Sequence, residues 1–246
     1  MTEQHSTDWL GLSGRIAVVT GGGGGIGRAT ALAAAARGYR IVVGYATNQA
    51  AADEVVSAIE AKNGKAIAVK CDVGSEADIL ALFKAADGFG TLGALVNNAG
   101  IVGKSGVRVD EMSAERIQQM MAVNVTGSIL CAREAVKRMS TRHGGKGGVI
   151  VNLSSVAAKL GAPNTYVDYA ASKGAVVSLT LPAARELAAS QIRVVTIAPG
   201  LMETPMMAGL PEAAREALST KTPHPARLGR PEDYALLVEQ IVSNPF

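Results

Sequence analysis

Tyr169 and Lys173, in the stretch Tyr166-Val-Asp-Tyr-Ala-Ala-Ser-Lys-Gly174, are the two residues of this chain whose types and spacing most directly suggest chemistry. On a helix, residues four apart project from one face, one turn from each other. A phenol beside an ammonium can then give and take a proton. Free tyrosine titrates near about 10, so working at neutral pH needs a shift of roughly three units, or about 4 kcal/mol. An ammonium about 4 Å away at an effective dielectric of about 20 supplies an interaction of that size. The same spacing also fits an ordinary surface lysine, so the chemistry depends on what the rest of the chain places around the pair.

The pattern predicts which elements do the placing. Arg15-Ile-Ala-Val-Val-Thr20 reads as a strand that runs at once into Gly21-Gly-Gly-Gly-Gly25-Ile-Gly27, followed by an alanine-rich helix from Arg28 to Arg37. Strand, glycine turn and helix is the order a dinucleotide site needs: the glycines let backbone approach a pyrophosphate, and the helix start offers free N–H groups and a positive dipole end. A glycine run of this kind is also compatible with a flexible linker. The alternation continues with a strand at Ile41-Val-Val43, a helix from Gln49 to Lys62, and a strand at Ala66-Ile-Ala-Val69 that leads into Lys70-Cys-Asp72-Val. A helix from Ser75, its predicted cap, to Ala86 precedes a fourth strand at Ala94-Leu-Val96, which enters Asn97-Asn-Ala-Gly100. Ser113 to Met139 reads as a polar helical region, Val149-Ile-Val-Asn-Leu153 as a fifth strand, and Ile192 to Ile197 as a sixth after the Tyr169 helix. Strands alternating with helices predict an α/β fold with a parallel sheet covered on both faces, and ligands sit beyond the carboxyl ends of such strands. Thr20, Asp72, Asn97, Ser154, Ser155 and Pro199 fall at those ends.

Bulk properties narrow the function classes. A chain of 246 residues can form one large core, predicted over 13–246 after a mobile polar segment over 1–12. Charged residues are 18% of the total, the net charge is +3 and the signs are interspersed, which argues against nucleic-acid binding or a polybasic membrane surface. Met1 to Asp8 lacks a signal-like apolar core and no apolar run reaches spanning length, so a cytoplasmic location is expected. Cys71 and Cys131 lack metal or C-x-x-C spacing and are expected as free thiols. His5, His143 and His224 are scattered, so no metal site is expected.

Taken together and in order, Thr20-Gly21-x-x-x-Gly25-x-Gly27, Asn97-Asn98-Ala99-Gly100, Asn124, Ser155, Tyr169-x-x-x-Lys173 and Pro199-Gly200-x-x-x-Thr204 resemble the short-chain dehydrogenase/reductase family. The resemblance implies a single-domain Rossmann-type doubly wound sheet in strand order 3-2-1-4-5-6. It implies that Tyr169 is the general acid/base, that Lys173 lowers its pKa and binds the nicotinamide ribose, and that Ser155 hydrogen-bonds the substrate oxygen. It further implies that Asn124 holds a water near Lys173. Adjacent strand residues point oppositely, so Ser154 and Ser155 compete for the catalytic place. The family pattern favours Ser155, with Ala162-Pro-Asn-Thr165 absorbing one extra residue before Tyr169.

For the cofactor, the resemblance places Gly21, Gly24, Gly25, Ile26 and Gly27 at the pyrophosphate, Asp72 and Val73 at the adenine, and Asn98, Ala99 and Gly100 along the cofactor. Pro199, Gly200, Met202 and Thr204 fall at the nicotinamide. An NAD enzyme typically carries an acidic residue at the end of the second strand, but no Asp or Glu occurs between Arg40 and Ala52. Gly24 stands where many NADP-preferring relatives carry a basic residue. Tyr45, Thr47 and Asn48 are then the candidate partners of a 2′-phosphate, and the balance favours NADP over NAD.

Substrate selection is expected in a loop or lid over 200–228, where Leu201, Met202, Met206, Met207 and Leu210 suit a small hydrophobic ketone or alcohol, or alternatively pack as core. The first two thirds of the chain resemble small bacterial NADP-linked reductases, and the last third resembles type-II 3-hydroxyacyl-CoA dehydrogenases. Family members continue with a further strand carrying a Val-Asp-Gly-Gly-like sequence, whereas this sequence stops at Phe246. That leaves a homo-oligomer expected as a dimer or tetramer, with a dimer through the helices around Asn124 and Tyr169. The readings carried forward are a ketone/secondary-alcohol oxidoreductase, a 3-hydroxyacyl thioester dehydrogenase or reductase, and a dinucleotide-binding regulatory protein without turnover.

Overall fold

The computed structural model describes residues 14–104, 106–161, 166–204, 219 and 222–244. Six strands form one parallel sheet: β1 (Ile16–Val19), β2 (Arg40–Tyr45), β3 (Ala66–Lys70), β4 (Leu92–Asn97), β5 (Gly148–Leu153) and β6 (Ile192–Ile197). Their order is β3-β2-β1-β4-β5-β6, as the resemblance implies. Each strand has an apolar centre because helices cover both faces and alternate side chains feed two separate cores, while polar residues such as Arg40, Lys70, Asn97 and Asn152 fall at or near the strand ends. Along β1, Ala17 and Val19 enter one core with α1 (Gly25–Ala36) and α2 (Gln49–Glu60), while Ile16 and Val18 enter the other with α3 (Glu76–Phe89). As predicted, Ser75 caps α3 by accepting a hydrogen bond from the Asp78 amide.

Two elements differ from the sequence reading. The region from Ser113 to Met139 is not one regular helix: α4 (Ala114–Met121) passes through a π turn at Ala122–Thr126 before α5 (Gly127–Met139). That turn contains Asn124, and such widened turns occur where a side chain must be re-aimed. After the long helix α6 (Val167–Ala188), the chain closes with α7 (Pro231–Ser243), which the motif reading of the tail leaves undefined. Its first residue is proline, whose missing N–H is tolerated there, and its Tyr234, Val238 and Val242 complete the first core. An Arg37–Glu239 ion pair links α1 to α7.

The order reverses between β1 and β4, which opens a crevice beyond their carboxyl ends. Both chains leaving that crevice, Thr20-Gly21 and Asn97-Asn98, belong to the candidate site.

Candidate active site

The glycine turn is built by backbone demands. Gly21 and Gly25 have φ of +64° and +50°, a region that favours glycine. A Cβ on Gly27 would overlap the Gly21 carbonyl and stand 2.5 Å from Asn98 Nδ2, so only glycine lets α1 start this close to the turn. Gly24, by contrast, faces open space, caps α1 without a side chain, and the first turn of α1 holds no acidic residue. The positive end of α1 is thus left open toward the crevice, as a pyrophosphate would require. Ile26 packs against the first core.

Asn98, Ala99 and Gly100 take different places. The Asn98 amide donates to Thr20 O at 2.9 Å and Gly21 O at 3.0 Å, and the Asn98 and Ala99 backbone amides both donate to Thr20 Oγ1 at 3.1 Å. The Asn98 side chain therefore ties the glycine turn to β4. Gly100 is exposed on one side and closely approached on the other: a Cβ there would lie 3.2 Å from Asn124 Oδ1 and 3.5 Å from Lys173 Nζ.

Asn124 is buried and engaged by protein on both polar atoms. Its Oδ1 accepts from Ile101 N at 2.8 Å, and its Nδ2 donates to Ile101 O and to Ser172 Oγ, each at 3.0 Å. The side chain thus fixes the loop after Gly100 against α6. The π turn delivers this side chain from the middle of the helix pair.

The two serines separate as the strand geometry requires. Ser154 is buried and donates to Lys173 O at 2.8 Å, which ties β5 to α6. Ser155 lies close enough to Tyr169 to act on the ionisation of its phenol, and it accepts from Ala157 N at 3.1 Å where it caps a short 3-10 turn. The Val156 amide donates to Pro199 O at 3.0 Å, bringing the loop after β6 beside this turn.

The Tyr169–Lys173 pair differs from expectation in one respect. Lys173 Nζ stands 5.8 Å from the Tyr169 ring centroid and donates to Leu153 O at 2.7 Å. Burial lowers the Lys173 pKa to about 8. The Tyr169 phenol is raised above its ordinary value, chiefly by burial and further by Tyr166, with Ser155 opposing. The expected depression by the ammonium is absent because Lys173 points its charge at a carbonyl while the phenol loses water.

Tyr166 was not singled out by its spacing, yet it is prominent here. It precedes α6 in a left-handed conformation (φ 37°, ψ 43°), and its ring meets that of Tyr169 edge to face at 6.0 Å. For a bulky residue that backbone is strained, and such strain gathers at functional sites.

At the adenosine end, Asp72 is exposed and accepts from Gly74 N at 2.9 Å, whereas Val73 is buried in the second core against α5. The Val73 side chain therefore packs in the interior and leaves only its backbone for an adenine. Tyr45 is half-exposed and Thr47 exposed, while Asn48 uses its Oδ1 to cap α2 by accepting from Ala51 N at 3.0 Å. Lys70, missed in the sequence because it ends a neighbouring strand, is exposed and in register with Tyr45.

Beyond β6, Gly200 is exposed, and Met202 is half-buried and bridged to Gly229. Thr204 is half-buried. Met206, Met207, Leu210 and the 162–165 stretch lie outside the described residues, as does the segment 1–12.

This arrangement is that of a dinucleotide-dependent oxidoreductase, and comparison with known proteins gives the family. The short chain dehydrogenase family matches residues 15–215, and the chain belongs to it. It is 46% identical over 231 residues to the uncharacterized oxidoreductase YgfF of Escherichia coli strain K12, covering 93% of each chain. It is 38% identical over 247 residues to the 3-hydroxyacyl-CoA dehydrogenase type-2 of Homo sapiens, covering 96% of this chain and 91% of that one. A solved dehydrogenase/reductase from Sinorhizobium meliloti 1021 superposes with a TM-score of 0.87 at 32% identity, covering 98% of this chain and 92% of that one. The protein is thus an oxidoreductase of a family that uses NAD(P) and acts on hydroxyl and carbonyl groups. No helix among the described residues is long and apolar enough to cross a membrane.

Proposed function

We propose that the protein uses NADP to reduce the carbonyl of a small hydrophobic ketone to a secondary alcohol, with Tyr169 passing the proton. The carrying observation is the approach of Ser155 to the Tyr169 phenol at the carboxyl edge of the sheet, one helical turn from the buried Lys173. Two hydroxyls meeting at one point can hold one substrate oxygen, Ser155 stabilising charge as it develops and Tyr169 supplying the proton. In the reducing direction the phenol gives its proton to the substrate oxygen, and burial favours its protonated form before that step. The approach of Lys173 Nζ to Gly100 supports its binding of ribose hydroxyls, and the open start of α1 supports binding of the pyrophosphate there. Bound NADP would supply the hydride.

The NADP preference is supported by the lack of an acidic residue between Arg40 and Ala52, by Tyr45 and Thr47 at the end of β2, and by the ammonium of Lys70 on the adjacent strand. The buried free thiols Cys71 and Cys131 support a reducing, cytoplasmic setting. Exposed Ile117, Ile129, Val177 and Leu181 on α4, α5 and α6 support a homodimer through these helices. The likeness to the human 3-hydroxyacyl-CoA dehydrogenase favours a 3-oxoacyl thioester as the second substrate reading.

The test is to follow NADPH and NADH absorbance with a panel of ketones, diketones and acetoacetyl-CoA. Turnover confined to the thioester would replace the first reading by the second. Cofactor binding with no turnover on any member would overturn both in favour of a regulatory role. In a turnover-competent system, Tyr169→Phe is expected to lower kcat by about 10²–10⁴-fold with cofactor affinity nearly unchanged, and an active Tyr169→Phe variant would remove Tyr169 from the mechanism.

A further inference from the structure

Arg116 on α4 and Asp168 on α6 stand 52 residues apart and form a fork-to-fork pair, Arg116 Nε to Asp168 Oδ2 at 2.7 Å and Nη2 to Oδ1 at 3.1 Å. The Asp168 side chain is 1% exposed and that of Arg116 18%. Asp168 immediately precedes Tyr169 in the first turn of α6. The third guanidinium nitrogen, Nη1, donates to Lys104 O at 2.9 Å, and a Cβ on Gly103 would stand 2.5 Å from Nη2, so the loop backbone lies directly on the guanidinium. The same loop is held at its other end by Asn124 through both polar atoms of the Ile101 backbone. It begins at Gly100, where a Cβ would stand 3.5 Å from Lys173 Nζ.

One arginine therefore joins two things that have no covalent reason to keep a fixed distance: the turn that aims the phenol and the loop that flanks the lysine. A buried ion pair is seldom needed for stability as such, since apolar residues of similar volume often serve as well. Its placement here carries more than its strength does. Guanidinium nitrogens go to the carboxylate beside Tyr169 and, at the same time, to the loop, an arrangement a pair serving only to dock α4 on α6 would not need.

We propose that Arg116 and Asp168 are positioning residues for the reaction, a clasp that sets the Tyr169 phenol relative to the Gly100 loop and so governs turnover more than cofactor affinity. The inference rests on the reading of Tyr169 as the acid. A displacement of about 1 Å at a reacting group costs about 10²-fold in rate, which sets the size of effect to look for.

The experiment uses the full chain and the double variant Arg116→Met/Asp168→Leu, with the best ketone found for the unaltered protein. Measurements are the melting temperature, the NADPH dissociation constant by fluorescence, and kcat and KM separately. The expected result is a folded protein melting within about 4 °C of the original, NADPH affinity within about threefold, and kcat lower by about 10²-fold. Wild-type kcat in the double variant would overturn the clasp, as would a fall in NADPH affinity equal to the fall in kcat. Should the double variant not fold, Arg116→Lys keeps the charge and loses the fork: a kcat about tenfold lower with unchanged NADPH affinity supports the clasp, and an unchanged kcat overturns it. Absence of turnover in the unaltered protein would instead refute the acid reading, and the clasp with it.

Discussion

Lys173→Met is expected to give a protein that is inactive and yet more stable at neutral pH. Lys173 is 4% exposed, and its Nζ reaches a single carbonyl, that of Leu153, at 2.7 Å. Burial moves its pKa from 10.5 to about 8, so the ammonium is disfavoured in the folded state by about 3 kcal/mol. The folded pKa lies below the unfolded one, so the penalty is fully present below about 8, declines as pH rises toward 10.5, and is gone above it. Methionine fills similar space without charge but leaves the Leu153 carbonyl without its donor, a loss of about 1–2 kcal/mol. The net gain at pH 7 is then about 1–2 kcal/mol, or roughly 2–8 °C in melting temperature. By pH 10 most of the charge penalty has been relieved in the original protein, and the variant should lose about 2 kcal/mol of its relative advantage. Urea unfolding of both proteins at pH 7 and pH 10 measures each value. A variant less stable than the original by the same amount at both pH values would show that the Lys173 ammonium is well solvated, and the argument from burial would fail.

Three further substitutions test other parts of the scaffold. Glu134 has a buried carboxylate at which burial works to raise the pKa, but hydrogen bonds from Lys137, Arg138 and Arg133 outweigh it and hold the group below 4.5. Its contribution is therefore present above about 4.5 and lost as pH falls through the lower folded value. Glu134→Gln should cost about 1–3 kcal/mol at pH 7, with the gap narrowing in acid, and urea midpoints against pH check this. Gly27→Ala should cost about 1–3 kcal/mol and abolish NADPH binding because its Cβ meets the Gly21 carbonyl. Gly24→Ala, which meets nothing within 4 Å, should be neutral within about 0.5 kcal/mol. Thermal melts and fluorescence titration distinguish the two, and equal behaviour would refute the close approach of α1 to the turn.

Much of the scaffold could be read because the evidence for it is local. Apolar runs alternating with helical stretches place all six strands, and the glycine turn after Thr20 announces the start of α1. What escaped depends on distance or on backbone geometry with no residue signature. The π turn at Asn124, over Ala122–Thr126, carries no residue type that marks it in advance. Arg116 and Asp168 are unremarkable helix charges until the fold brings them together across 52 positions. Asn98 sits within a cofactor motif, so its sequence neighbourhood predicts a ligand contact, yet its amide is consumed by Thr20 and Gly21. Lys173 shows the same limit for electrostatics: spacing fixes which face it shares with Tyr169, but only the packing beneath shows that its charge turns to Leu153.

These departures from local rule fall in one place. A desolvated ammonium, a left-handed tyrosine and a widened helical turn all destabilise the native state, and all lie around the carboxyl ends of β4 and β5. A site that must move a proton needs groups held out of their preferred states, and strain persists only where the surroundings over-determine it. The surroundings here do so with directional bonds. Ser154 pins the Lys173 backbone, Asn124 grips Ile101 and Ser172, and Arg116 holds Asp168 and Lys104 together. Three anchors from three different elements thus converge on the first two turns of α6, so that loosening any one of them should register in the rate before it registers in the melting temperature.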